Sequence, residues 1–359
     1  MLELQLLPAR QGDAIWIRWG SASKPRQLLI DMGTCATGEL LRKRLKALKP
    51  AERTFELLVV THMDCDHIGG VLSCVAEAEE LEGLRFNDVW FNGWRNINGK
   101  KVKSTLENWG PPEGERLSTW LRDYIWNDTF DGAPVIRGKD GVWEVTLDGG
   151  LRLTVLGPPK TRLTELVPVW KTEVKRALKD GRLDPGSGLE RWGATDPPKL
   201  KTHADLEALA KERENDRDDT EANGSSIALL LEYEDRRIAL TGDAFADDLV
   251  EAFAALSSEP LELDAFKLPH HGSRNNVTKE LINAVSCPLW LFSTDGTQFR
   301  HPHKQAVARV ILHGGDRPML GFNVPSTYNG WWDRSDWRRK FKYRTMYGDA
   351  EDGLWLVFD

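Results

Sequence analysis

The sequence predicts an α/β protein, and three observations carry that expectation. Apolar, strand-like runs alternate with helical periodicity at both ends of the chain. Polar clusters rich in His and Asp follow directly on apolar runs, which is where an α/β sheet presents its ligands. The length, 359 residues, suits one large layered domain with an insertion, or two small domains.

The elements follow in order. Leu2 to Leu7 is apolar, Gln11-Gly12-Asp13 is a turn, and Ala14 to Trp19 is rich in β formers. A polar turn from Gly20 to Arg26 leads into a strand from Gln27 to Gly33. Residues 38–48 carry Leu40, Leu41, Leu45 and Leu48 at helical spacing. Phe55 to Val60 is a continuous apolar strand that ends at Thr61-His62. Between 90 and 222 the pattern is irregular, with Gly- and Pro-rich turns at Gly110-Pro111-Pro112 and Gly157-Pro158-Pro159 around a strand at Leu151 to Leu156. The charged stretch from 160 to 222 has helical character and reads as a solvated face. The whole of 90–222 is expected to be a Trp-rich, charged insertion beside the core of a single domain spanning 1–359. Order returns with strands at Ile227 to Tyr233 and Arg237 to Thr241, a helix at Ala244 to Leu256, and strands at Ala265 to Leu268 and Pro288 to Ser293. A last strand, Gly353 to Phe358, is expected to close the sheet.

Composition narrows the function classes. Charged residues make up 29% and the net charge is −7, which argues against a protein that coats polyanions and leaves room for an enzyme meeting phosphate at a metal site. No apolar run reaches the ~20 residues that span a bilayer, and no secretory signal is visible at Met1-Leu2-Glu3-Leu4. Cys35, Cys65, Cys74 and Cys287 have no paired spacing and read as free thiols, consistent with a cytoplasmic location. The 15 tryptophans serve core packing or base stacking, and composition does not choose between them.

The chemistry concentrates in Thr61-His62-Met63-Asp64-Cys65-Asp66-His67-Ile68-Gly69-Gly70. Four metal-capable side chains fall within six residues directly after an apolar strand. At a tight turn alternate residues can enter one cavity, so that His62 and Asp64 hold one ion while Asp66 and His67 hold a second. Imidazole and carboxylate ligands suit zinc, manganese or iron. The two glycines are expected to let the chain turn into the following helix.

This motif resembles the second signature of the metallo-β-lactamase superfamily, HxHxDH, in an HxDxDH variant with Asp64 in the middle position. That variant is similar to the hydrolase domain of competence DNA-uptake channel proteins and to the soluble phosphorylcholine esterases near them. Gln11-Gly12-Asp13-Ala14, Leu29-Ile30-Asp31-Met32-Gly33, Asn223-Gly224-Ser225-Ser226, Leu240-Thr241-Gly242-Asp243-Ala244, Lys267 to Ser273 and Arg300-His301-Pro302-His303 match further motifs in the right order. The third-motif histidine of other branches is absent at 223–226, and no membrane segment accompanies the match.

The resemblance implies an αββα four-layer sandwich, the metallo-β-lactamase fold, holding two divalent ions, zinc or manganese. One ion would take His62, Asp64 and the shared Asp243. The other would take Asp66, His67, Asp243 and one of His270 and His271, with the remaining histidine facing substrate or completing the first ion's shell. Asp31 would orient a ligand through a hydrogen bond. Two cations ~3.5–4 Å apart acidify a bridging water and clamp substrate oxygens, so Asp66, Asp243, Asp31 and His301 are the expected catalytic residues, with His301 protonating the leaving group. Ser273, Asn223 and Ser225 are expected at the substrate.

A softer signal runs from Trp331 to Arg344, where five aromatic residues interleave with Arg338, Arg339, Lys340 and other basic residues. Trp94-Arg95 and Lys100-Lys101-Val102-Lys103 form a second such cluster. The later stretch is either a track for a nucleic acid strand or a packed element with a solvated basic rim. The expected function is phosphodiester hydrolysis, with a nucleic acid as substrate. Ester, lactone or thioester hydrolysis, and a partner-controlled subunit bound through the 90–222 insertion, stand as alternatives.

Overall fold

The computed structural model describes residues 1–93, 97, 112–121, 126–138, 143–180 and 196–358. The clusters at Trp94-Arg95 and Lys100–Lys103, and the Gly110-Pro111 turn, lie outside the described residues.

Chain order gives β1 (Leu2–Leu6), β2 (Ala14–Ser21), β3 (Lys24–Met32), β4 (Thr54–Val59) and β5 (Arg85–Trp90). Next come β6 (Glu144–Thr146), β7 (Arg152–Gly157), β8 (Ala228–Tyr233), β9 (Arg236–Leu240) and β10 (Leu261–Glu262). The last are β11 (Ala265–Lys267), β12 (Val285–Ser286), β13 (Leu289–Phe292), β14 (Met319–Phe322), β15 (Arg344–Tyr347) and β16 (Leu354–Phe358). One sheet runs β16-β1-β2-β3-β4-β5 and the other β15-β14-β13-β11-β9-β8-β7-β6, with β10 and β12 paired apart. Both sheets are mixed: β1 to β3 are antiparallel and β3 to β5 parallel, while β6 to β9 are antiparallel and β9 through β11, β13, β14 and β15 parallel.

The period-2 alternation of a strand sorts its side chains between two apolar layers. In β8, Leu229 and Leu231 join Leu4, Ile17, Leu28 and Val59 of the first sheet in a shared central layer. Leu230 points the other way, into an outer layer with Leu249 and Phe253 of the helix Ala246–Leu256 and Val307 and Val310 of the helix Lys304–His313. The first sheet is covered likewise by the helices Cys35–Ala47 and Cys65–Val71, whose Leu41, Leu45 and Ile68 meet Leu29, Phe55 and Leu58. Four layers result, helix, sheet, sheet, helix. Strand segments buried on both faces are apolar throughout, which is why residues 57–59 of β4 and 228–231 of β8 read as hydrophobic runs. Each such buried side chain contributes roughly 1.5–3 kcal/mol of transfer free energy.

Several expectations need correction. The segment 90–222 is not wholly beside the core, because β6 and β7 extend the second sheet through pairing of β7 with β8. Strands β5, β14 and β15 were not foreseen; β15 begins at Arg344, the last residue of the basic-aromatic stretch. Within that stretch Trp332, Trp337, Phe341 and Tyr343 are buried in the outer layer of the second sheet, and a ring enclosed by protein has no face to offer a base. The motif glycines serve close packing rather than a turn. A Cβ on Gly70 would lie 1.9 Å from the Met32 carbonyl oxygen, where the helix Cys65–Val71 crosses β3. Among the described residues, no helix is long and apolar enough to cross a membrane.

Candidate metal centre

The loops that follow β1, β3, β4, β9, β11 and β13 converge at one edge of the sandwich. The first anchor is Asp31, near the end of β3, fully buried and in the left-handed region at φ +54°. Its carboxylate accepts from the Thr61 backbone N–H at 2.8 Å and from the Thr61 hydroxyl at 2.7 Å, which fixes the chain as it leaves β4. It also accepts from Nδ1 of His67 at 2.8 Å. Asp64 precedes the helix Cys65–Val71 without its side chain capping it, so that carboxylate stays free. It lies 3.6 Å from Nε2 of His62.

The second half supplies the rest. Asp243 follows Gly242, a left-handed residue after β9, and its backbone N–H donates to the Ser226 hydroxyl at 3.2 Å. His270 and His271, beyond β11, are both left-handed, at φ +49° and +53°. Such backbone costs of order 1–3 kcal/mol for a residue with a Cβ and tends to mark functional sites. It aims both rings at Asp243: Nε2 of His271 lies 3.4 Å and Nε2 of His270 3.9 Å from its Oδ2. Asp66 Oδ2 is 3.5 Å from Nε2 of His271, and Asp243 Oδ1 is 3.4 Å from Nε2 of His67.

The tautomers decide what this cluster can bind. His67 directs Nδ1 to Asp31, and His271 directs Nδ1 to the Ser293 carbonyl at 2.9 Å. Both Nδ1 atoms act as donors there, so in the neutral rings both Nε2 atoms carry lone pairs, and these face each other at 3.2 Å. Two lone pairs at that distance repel unless a cation lies against them. His62 Nε2 and Asp243 Oδ1 are also buried without a hydrogen-bond partner. A histidine that donates through one nitrogen to a carboxylate or carbonyl and leaves the other free has the arrangement of a metal ligand. Asp13, His67, Asp243 and His271 form one buried group whose metal-capable atoms lie within 4.8 Å of each other. The residues fit a metal.

The electrostatics agree. Burial resists a charge on His67, yet Asp243 and Asp31 hold it well above the ordinary imidazole range. Burial likewise opposes a charge on His271, and Asp243 and Asp13 outweigh it. His270 is raised to about 9 by Asp243 and Asp218 against its burial. Burial disfavours ionisation of Asp243, but His271, His67 and His270 keep its carboxyl well below the usual range. The carboxylates thus demand positive charge at the centre, as protons or as metal.

Of the expected site residues, His62, Asp64, Asp66, His67, Asp243, His270, His271 and Asp31 are brought together. The others are placed differently. Ser273 is fully buried and accepts from the Asn275 N–H at 3.3 Å. Ser225 donates to the Ala222 carbonyl at 2.6 Å. Asn223 is buried and donates to Asp218 at 2.8 Å. None of the three hydroxyl or amide groups is open to substrate. His301 is 2% exposed, with neither ring nitrogen hydrogen-bonded and its ring centroid 5.2 Å from that of His270. Burial, helped by His303, His270 and His271, drives its pKa well below 6.5. A ring whose pKa is lowered in this way gives up its charge readily, which speaks against the expected acid role. Arg338, Arg339 and Lys340 are not at the centre. They precede Arg344, which begins β15 opposite Met319 at the start of β14, whereas the ligand loops leave the other ends of these parallel strands.

The sequence passed over four contributors. Asp218, inside the stretch taken for a solvated face, accepts from Nδ1 of His270 at 3.1 Å and from Asn276 at 2.9 Å. Asp13 was visible only as part of a turn, and Lys267 only as a motif neighbour. Ser293 acts through its carbonyl, which no side-chain pattern reveals.

No protein-family model and no curated protein matches the chain. Among solved structures it is similar to the metallo-beta-lactamase fold protein YhfI from Bacillus subtilis at 10% identity and a TM-score of 0.37, over 99% of this chain and 98% of that one. It is similar to human tRNase Z, short form, at 12% identity and a TM-score of 0.38, over the whole of both chains. A variant of the CmlA beta-hydroxylase is similar at 10% identity and a TM-score of 0.38, over 99% of this chain and 53% of that one. Sheet order, outer helices and the buried group of metal-capable side chains make the chain a four-layer αββα sandwich with a possible metal site between its two halves.

Proposed function

We propose that this chain is a metal-dependent hydrolase that holds two divalent cations and cleaves phosphodiester bonds, with a nucleic acid strand as substrate. The observation that supports it most is the pair of Nε2 atoms on His67 and His271, facing each other 3.2 Å apart with both Nδ1 atoms engaged elsewhere. His62, Asp64, Asp243 and His270 would hold one cation. Asp66, His67, Asp243 and His271 would hold the other. Both histidines of the 270–271 pair then ligate, and His270 stands in for the absent third-motif histidine with Asp218 fixing its ring. Bound divalent cations supply Lewis acidity and lower the pKa of water at the site.

The chain's own residues do the rest. Asp31 and the Ser293 carbonyl keep His67 and His271 in the tautomer that presents Nε2. Asp64 is the member of the group with the most open side chain, 41% exposed, so substrate approaches from its side. An aspartate in place of the middle histidine makes that end of the site oxygen-rich, which suits hard cations and phosphoryl oxygens. The resemblance of the HxDxDH motif to the hydrolase domain of competence proteins supports the same substrate class.

The test is turnover of single- and double-stranded DNA, RNA and a chromogenic phosphodiester with manganese, zinc or magnesium. Cleavage of at least one, abolished by a chelator, is expected. Efficient lactone or ester turnover with every phosphodiester left intact would overturn the substrate class.

A further inference from the structure

Lys267 ends β11 with no exposed surface. A buried ammonium is costly unless it is paired and hydrogen-bonded. It donates to Asp13 Oδ2 and, at 3.1 Å, to the carbonyl of Gly242, the residue before Asp243. Asp13 is itself buried, on the turn between β1 and β2. That turn is held tightly: a Cβ on Gly12 would lie 1.6 Å from the Asp66 carbonyl oxygen, and the Gly12 carbonyl accepts from the Ser293 hydroxyl at 3.1 Å. Asp13 Oδ1 lies 3.3 Å from Nδ1 of His271 and has no hydrogen-bond partner of its own. One ion pair thus joins the turn bearing Asp13, the loop bearing Asp243 and the ring of His271.

We infer that Lys267 and Asp13 are a positioning pair that sets how tightly His271 holds a cation, without either coordinating it. The inference rests on the metal centre proposed above. Asp13 approaches His271 on the Nδ1 side, where the ring already donates to Ser293, whereas the cation would meet Nε2. A carboxylate behind the Nδ1–H makes the ring a better ligand and fixes its plane. Lys267 neutralises Asp13 and keeps its second oxygen away from the centre. Direct ligation by Asp13 is the competing account, since its carboxylate falls in the same 4.8 Å group as His67, Asp243 and His271.

The two accounts separate in a mutant cycle read by metal affinity. Stepwise manganese affinity of the apo protein is measured by competition with a chromogenic chelator, and folding of each variant by circular dichroism. Asp13→Asn strands the Lys267 cation beside the site and removes the carboxylate behind His271, so one binding step should weaken by about 10–100-fold. Adding Lys267→Met removes the stranded charge, and the double variant should recover at least threefold while staying weaker than the unaltered protein. Equal loss in the single and double variants would make Asp13 a ligand and overturn the proposal. Affinity within twofold of the unaltered protein in either variant would also overturn it. If Asp13→Asn does not fold, the double variant, which leaves no unpaired buried charge, decides alone. A loss of more than twofold and up to about thirtyfold supports the pair, and either a loss within twofold or a greater one refutes it. Failure of the unaltered protein to bind metal at all would refute the metal centre itself, a result distinguishable without any variant.

Discussion

Asp31→Asn should damage this protein in one of two measurable ways, and the geometry fixes both. Asp31 accepts three hydrogen bonds in a fully buried position, from the Thr61 N–H, the Thr61 hydroxyl and His67 Nδ1. An asparagine has the same shape but one end is a donor. With its amide turned towards His67, the ring must switch tautomer and put its proton on Nε2, the atom aimed at the cation. Metal affinity should then fall by about 10–100-fold, the usual effect of losing a ligand's hydrogen-bond partner. With its amide turned towards the Thr61 backbone, two donors face each other in the interior, at a cost of about 1–3 kcal/mol in stability. Denaturant unfolding of the apo protein reads the second cost, and chelator competition reads the first. A variant unchanged in both would refute the assignment of donors and acceptors on which the metal centre rests.

Asp243→Ala should lower turnover by roughly three or more powers of ten while leaving the apo fold intact, because Asp243 faces both proposed cations; elemental analysis should show fewer than two metals per chain, and activity within tenfold of the unaltered protein would place the site elsewhere. Replacing Arg338, Arg339 and Lys340 together with glutamine should leave KM for long strands within about twofold, since they sit at the far end of β15; with every lost phosphate contact worth nearly one unit of salt slope, a drop of two or more in that slope would show that they do carry the strand. Stability should fall as pH drops from 6.5 towards 3 through His303, whose folded pKa is lowered to about 3 by burial and then by Arg274. Below 6.5 the unfolded chain takes up a proton that the native ring refuses, so the contribution is full above 6.5 and lost on acidification. His303→Gln should flatten that decline in urea midpoints measured between pH 7 and 5, and an unchanged slope would refute the role.

Much of the fold was legible because its physics is local. β1 to β4 and β8 to β9 announce themselves as stretches rich in apolar and β-branched residues bounded by turn residues, since strands lying between other layers are mostly apolar. β14 and β15 escaped because each has only four residues, and β5 because Arg85, Asn87 and Asp88 interrupt its apolar residues. The ligand cluster at His62 to His67 was readable because its residues are adjacent in sequence. Asp218 was not, because an isolated aspartate in a charged stretch looks solvated until His270 is placed beside it. Burial also overruled composition at Trp332, Trp337 and Tyr343, where aromatic and basic residues alternate although only the basic ones remain at the surface. Ser273, Ser225 and Asn223 show the same limit, since motif position says nothing of which way a side chain points.

The pairing of β16 with β1 has a consequence for how the protein is made. Leu2–Leu6 emerges first among the strands, yet its outer edge is covered only by Leu354–Phe358, about 350 residues later. At about 5–20 residues per second of synthesis, that edge waits on the order of 20–70 seconds without its strand partner. An uncovered apolar edge is a template for pairing with other chains. The nascent chain therefore carries an uncovered edge until β16 docks, and any pause in translation between the two strands lengthens that interval.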